Sequence, residues 1–208
     1  DRVILLKDIL ESGVSIPGQE KSFCLTASYF KASPKNTIER KQRTMAAEPV
    51  CLNSKSGTID KPIYEVNGGQ ITIKGKQYPI KLADGFYIIR KLTVTECCRL
   101  QTMPDDYCRA VSNAQAYKGL GNGWTAEVII HILNGALKDV PRNEKIVVLS
   151  MFDGIGTGRY CLDKMGFTNV EYHAFEIDKY AIKVAMSNYP DIIQHGDAYQ
   201  VRRNNFKI

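Results

Sequence analysis

An α/β fold is what this sequence predicts: a parallel sheet with helices in its last third, and a β-rich module ahead of it. Three observations carry that reading. The run Val147-Val148-Leu149-Ser150 leads into Asp153-Gly154-Ile155-Gly156-Thr157-Gly158, and an amphipathic segment with Tyr160, Leu162 and Met165 follows. That order spells a buried strand, a tight loop and a helix start. Two further short runs, 171–175 and 192–195, each end in acids, at Glu176-Ile177-Asp178 and Gly196-Asp197. Residues 45–89 alternate short apolar runs with glycine turns and carry no helix signature.

Taken in order, residues 3–10 read as a short amphipathic element that ends at Gly13 and Pro17-Gly18. In the β-rich module, Asn67-Gly68-Gly69 separates Ile63–Val66 from Gln70–Lys74, Lys74-Gly75-Lys76 precedes Gln77–Ile80, and Asp84-Gly85 precedes Phe86–Ile89. The texture changes at Arg90, where Thr93 followed three residues later by Glu96 makes a capping box for a helix closed by Leu100, Met103 and Pro104. Residues 117–124 read as a glycine turn. Val128, Ile129, Ile132, Leu133 and Leu137 then form a helical stripe, and 141–145 form a polar linker into the first parallel strand.

At 208 residues the chain is one large domain or two small ones, with enough length for a core. No apolar run approaches the ~20 residues of a membrane span, and a cytoplasmic protein, prokaryotic or phage-encoded, is expected. The six cysteines form no Cys-x-x-Cys pair and lie far from the histidines, so free thiols are expected and no metal site. The net charge of +6 is uneven. Residues 1–92 hold 15 Lys and Arg against 9 Asp and Glu, whereas 93–208 hold 13 of each. Between 21 and 43, Lys21, Lys31, Lys35, Arg40, Lys41 and Arg43 face Glu39 alone, with Phe23, Tyr29, Phe30, Asn36, Thr37 and Gln42 interleaved. Cations for phosphates with polar and aromatic groups for bases suit a DNA surface, and a solvated basic face explains the charges equally well.

The glycine loop is the candidate ligand site. Glycines let backbone N–H groups and a helix N-terminus approach a nucleotide-like ligand. A nicotinamide dinucleotide site would have Gly-x-Gly-x-x-Gly, whereas here the spacing is Gly154-x-Gly156-x-Gly158 with Asp153 just before it. A carboxylate there suits a ligand bearing an ammonium and a sulfonium better than one bearing two phosphates, which favours S-adenosylmethionine. A loop that only makes a tight turn is the plain alternative. An acid about twenty residues on is where such folds grip a ribose, which points to Glu176.

Beyond spacing, Arg90-x-Leu92-Thr93-x-x-Glu96-x-x-Arg99-Leu100-Gln101-x-x-Pro104 resembles the ninth motif of the DNA (cytosine-5)-methyltransferases. In that family it braces the target-recognition domain, which makes Arg90, Thr93, Glu96, Arg99 and Gln101 structural. Gly121-Asn122-Gly123 resembles the tenth motif, whose loop closes over the cofactor; the family more often has serine at the position of Gly123, and Trp124 is expected to pack on the methionine end instead. Phe152-Asp153-Gly154-Ile155-Gly156 resembles the first motif, Glu176-Ile177-Asp178 the second and Gly196-Asp197 the third. The resemblance implies an S-adenosylmethionine-dependent methyltransferase fold, Rossmann-like and incomplete, with a target-recognition region at 21–89 that binds double-stranded DNA through Lys31, Lys35, Arg40, Lys41 and Arg43. It further implies that Asp153 to Thr157 hold the methionine moiety, Glu176 the ribose, Ile177 the face of adenine and Asp197 its amino group. A connecting segment is expected at 1–20, the ninth- and tenth-motif helices at 90–140, and the cofactor-binding strands at 141–208.

The motif order is that of a circularly permuted family member, since the ninth and tenth precede the first. The family's reaction needs a Pro-Cys nucleophile and a Glu-Asn-Val acid, and no proline in these 208 residues precedes a cysteine. The expectation is therefore a methyltransferase part without its nucleophile, completed by a second polypeptide or a missing segment. Cys51 and Cys24 are the fallback nucleophiles, and a non-catalytic DNA-binding or regulatory relative is the alternative.

Overall fold

The computed structural model describes residues 5–16, 18–50 and 61–200; Cys51 lies outside them. The chain opens with α1 (Leu6–Ile9) and β1 (Val14–Ile16), passes through a 3-10 turn at Tyr29–Lys31 and α2 (Pro34–Ile38), and enters β2 (Met45–Pro49). β3 (Ile63–Asn67), β4 (Gln70–Ile73), β5 (Lys76–Pro79) and β6 (Gly85–Lys91) complete an antiparallel sheet ordered β1-β2-β6-β3-β4-β5. Its two tight hairpins turn on Gly68-Gly69 and Lys74-Gly75, all four with positive φ, the two-residue geometry whose twist matches the flanking strands.

Two elements differ from the sequence expectation. Residues 14–16 are not merely connecting: Val14 pairs with Ala47 and Ile16 with Met45, adding an edge strand too short to show alternation. β6 runs on through Arg90 and Lys91, because the β2 register extends to both, Ala46↔Arg90 and Met45↔Lys91.

Next, α3 (Val94–Leu100) starts on the expected box: Thr93 Oγ1 accepts from the Glu96 N–H, and a Glu96 carboxylate oxygen accepts from the Thr93 N–H at 2.7 Å. The glycine turn expected at 117–124 is instead mostly helix, α4 (Asn113–Asn122), which ends only at Gly123. Glycine is a poor helix former, and here packing overrides propensity. A Cβ on Gly121 would stand 2.1 Å from the Thr26 backbone, and one on Gly119 would stand 2.7 Å from the Ile155 side chain. The two glycines let α4 seat directly against the 26–27 backbone and the glycine loop. α5 (Ala126–Ala136) follows as the apolar stripe predicts.

β7 (Ile146–Met151), α6 (Thr157–Lys164), β8 (Val170–Phe175), α7 (Lys179–Asn188) and β9 (Ile193–Gln194) make two successive β-α-β units with a parallel sheet ordered β7-β8-β9. One face, through Tyr172 and Ala174, packs on Leu162 and Ala185 of α6 and α7. The main core crosses both regions, running from Ile16, Ala46 and Ile71 through Cys97, Tyr107 and Leu120 to Ile155 and Val184. Among the described residues no helix is long and apolar enough to cross a membrane.

Candidate functional site

A brace of charged groups ties α3 to the antiparallel sheet. Arg90, at the end of β6, donates to Glu48 of β2 at 2.7 Å and with both terminal nitrogens to the two oxygens of Glu96, at 2.8 and 2.9 Å. It also reaches the Ser12 carbonyl at 2.9 Å, and Glu96 accepts from the Glu11 N–H at 2.8 Å. Glu96 is fully buried. Burial alone would raise its carboxyl, but the Arg90 guanidinium and the two backbone donors together hold it below the usual carboxylate range. Arg99 makes a two-pronged contact with Asp105, at 2.8 and 2.5 Å, and reaches the Ile9 carbonyl. The Gln101 amide donates to the Leu120 carbonyl at 2.7 Å, while its oxygen accepts from Thr125 at 2.8 Å. Gln101 thereby fixes the corner between α4 and α5, and Asn122, Gly123 and Trp124 of that corner line the cavity.

The cavity, about 380 Å³, is within the range of small-ligand sites. One wall is α4 and its end, with Lys118, Asn122, Gly123 and Trp124. The facing wall is the glycine loop, with Phe152, Asp153, Gly154, Ile155 and Thr157, and the third is Glu176, Asp178 and the start of α7. Phe152 sits at φ +59° and Gly154 at φ +65°. A phenylalanine in the left-handed region is strained, and such strain collects at ligand sites.

The acids differ in what holds them. Asp153 Oδ1 accepts from Ser150 Oγ at 2.6 Å and from the Tyr172 hydroxyl at 2.7 Å, whereas its buried Oδ2 has no hydrogen-bond partner. Burial pushes the Asp153 carboxyl up, and the two hydroxyl donors oppose that. Glu176 Oε2 accepts from the Gly154 N–H, and Oε1 accepts from the N–H groups of Ile177 and Asp178, all at 2.8 Å. Asp178 caps α7 with Oδ1 and binds Lys118 with Oδ2 at 2.6 Å.

Of the residues singled out in the sequence, the structure gathers Phe152, Asp153, Gly154, Ile155, Thr157, Glu176, Asp178, Asn122, Gly123 and Trp124 around one cavity. Gly156 stands behind it as the N-cap of α6, at φ +81°, with Ala185 3.0 Å from where a Cβ would be. Ile177 is 76% exposed and outside the lining; Asp197 is half-buried and also outside it, its Oδ1 accepting from the Tyr199 N–H at 2.9 Å. Lys118, Gln115, Tyr180 and Val184 line the cavity and were missed. The Lys118 signal was available, one helical turn before Asn122.

The five basic candidates also divide. Lys31, Arg40 and Lys41 are exposed, and no ion pair holds them among the described residues. Lys35 pairs with Glu39 at 3.6 Å, and Arg43 is turned onto Ser28 Oγ and the Lys31 carbonyl.

A family model for C-5 cytosine-specific DNA methylases matches residues 6–138, from α1 to just past α5, and the chain belongs to that family. No curated protein matches the sequence.

Proposed function

We propose that the chain is the cofactor-binding and target-recognition part of a DNA (cytosine-5)-methyltransferase with permuted motif order, and that methyl transfer depends on a segment outside these 208 residues. The observation that carries the cofactor reading is the cavity between the α4 end and the glycine loop, whose lining brings Asp153, Gly154, Glu176 and Trp124 together. Three carboxylates in the lining, Asp153, Glu176 and Asp178, suit a ligand with a cationic end, and the ammonium of S-adenosylmethionine is one. The residues fit the group. Asp153 and Gly154 would hold its amino-acid end, Glu176 would accept from a ribose hydroxyl with the one acceptor site left free, on Oε2, and Trp124 would cover the methionine moiety from the α4 side. When bound, the cofactor supplies the methyl group. This chain's part is to bind it, exclude water and present the DNA.

DNA would lie against the exposed cations Lys31, Arg40 and Lys41, with Lys35 and Arg43 in supporting positions. The target base would be flipped from the duplex, since cytosine C5 is otherwise inside the stack.

Three observations support a separately supplied catalytic part. No Pro-Cys occurs in the chain. Four of the five described cysteines are buried; burial pushes the Cys161 thiol up to about 11 and Cys97 higher still, which keeps these two protonated, whereas the Cys108 thiol beside Cys98 lowers Cys98 and is itself raised. Along β7, Val147, Leu149 and Met151 are 57%, 45% and 45% exposed, and β7 has no second strand neighbour among the described residues. Parallel sheets are ordinarily covered on both faces. The free β7 edge suits a polypeptide that extends the sheet, covers the bare face and brings the Cys and Glu to the cavity.

Tritium transfer from labelled S-adenosylmethionine to DNA tests this directly. The chain alone should give none, and the chain mixed with a polypeptide carrying the Pro-Cys and Glu-Asn-Val motifs should give incorporation. Activity from the chain alone would contradict the proposal and make Cys24 and Cys51 the residues to replace.

A further inference from the structure

Lys118 belongs to none of the stretches that marked the site in the sequence, yet it stands in the cavity wall. The lining holds three carboxylates, Asp153, Glu176 and Asp178, and among the described residues Lys118 is its one cation. Its ammonium reaches Asp178 Oδ2 at 2.6 Å. The Asp178 N–H in turn donates to Glu176 Oε1, and Glu176 Oε2 accepts from the Gly154 N–H. A continuous polar chain therefore runs from α4 through the acid loop to the glycine loop and joins the three walls of the cavity.

We propose that Lys118 is a positioning residue: through Asp178 it fixes the Glu176 carboxylate against the glycine loop, and so sets how tightly the cavity holds an adenosine-bearing ligand. The ligand class rests on the cofactor reading above. Glu176 and Asp178 are like charges two residues apart, and a cation beside them offsets their repulsion. The Lys118–Asp178 pair is half exposed on the lysine side, and such pairs contribute little to global stability. Its effect therefore belongs in the local geometry of the loops and not in the unfolding midpoint.

The test uses the whole chain with Lys118→Met, Lys118→Arg and Asp178→Asn, the last keeping an N-cap acceptor for α7. The first measurement is amide hydrogen exchange of the ligand-free protein in peptides covering 152–157 and 176–181. Lys118→Met should speed exchange in both, and Lys118→Arg should restore it. The second is calorimetric titration with S-adenosylhomocysteine. Lys118→Met should weaken binding about fivefold, or ~1 kcal/mol, with Lys118→Arg within about twofold of wild type. The double variant with Asp178→Asn should be no weaker than either single, since both remove one interaction. Unchanged exchange in Lys118→Met, or additive losses in the double variant, would overturn the positioning role. A wild-type chain that binds no S-adenosylhomocysteine overturns the cofactor reading instead, and the exchange measurement still decides the role of Lys118.

Discussion

The two sheets of this molecule solve the same problem in opposite ways. The antiparallel sheet of residues 14–91 has two tight hairpins, carries apolar residues in the main core and is locked to α3 by the buried Arg90–Glu96 pair. The parallel sheet of 146–194 packs one face on α6 and α7 but leaves the β7 side of the other face bare. Its ion pair on that face, Lys145 with Glu171, is exposed. The contrast teaches that, among the described residues, the first region is tied into the main core, whereas the second is covered on the α6 and α7 side and exposes β7 on the other. Antiparallel sheets tolerate one solvated face, and parallel ones rarely do.

The largest effect should come from the brace. Arg90→Met leaves the Glu96 carboxylate buried without its cation, which should cost about 3–5 kcal/mol in urea unfolding. Replacing Lys145 by Met in the parallel region should leave the midpoint unmoved. The pH dependence sharpens the contrast. The Glu96 carboxyl is held below its ordinary value in the folded chain, so its contribution is present above that ordinary value and is lost as pH falls through the folded one. In Arg90→Met, burial dominates and raises the same group, so the gap between wild type and variant should narrow as pH falls. Equal losses from Arg90→Met and Lys145→Met would erase the distinction between the regions.

A second comparison is of charge. The excess of cations lies within 1–92, while 93–208 is balanced. Replacing Arg40 and Lys41 by alanine should flatten the slope of log K against log salt for DNA by nearly two units, about 0.9 per lost phosphate contact. The weakening should be alike for all DNA sequences. An unchanged slope makes these residues a solvated face.

The smallest effect is expected at the bare sheet. Leu149→Ser, at an exposed site, should change the stability of the chain by no more than about 0.5 kcal/mol. If the proposed division of parts holds, the same change should impair methyl transfer in a mixture with a polypeptide carrying the Pro-Cys and Glu-Asn-Val motifs. A large stability loss would mean that the face is already covered.

Much of this was legible where a local rule decides the structure. The Thr93–Glu96 box, the Gly68-Gly69 and Lys74-Gly75 hairpins and the strand–glycine loop–helix at 146–164 depend on nearby residues alone. What was not legible depends on partners distant in sequence. Gly119 and Gly121 read as a turn because their reason for being glycine lies at Ile155 and Thr26. β1 exists through its pairing with β2, thirty residues away. Asp178 was readable as an acid near the ligand, but not as a group already committed to α7 and Lys118.

The central claim is that the cavity between α4 and the glycine loop binds S-adenosylmethionine through Glu176. Calorimetric titration of the whole chain with S-adenosylhomocysteine, beside Glu176→Ala at matched folding, tests it most directly. The account predicts saturable binding that weakens by about 1.5–3 kcal/mol in the variant, the worth of hydrogen bonds to a charged group. Equal affinity in the two proteins, or no binding by a folded wild type, would contradict it.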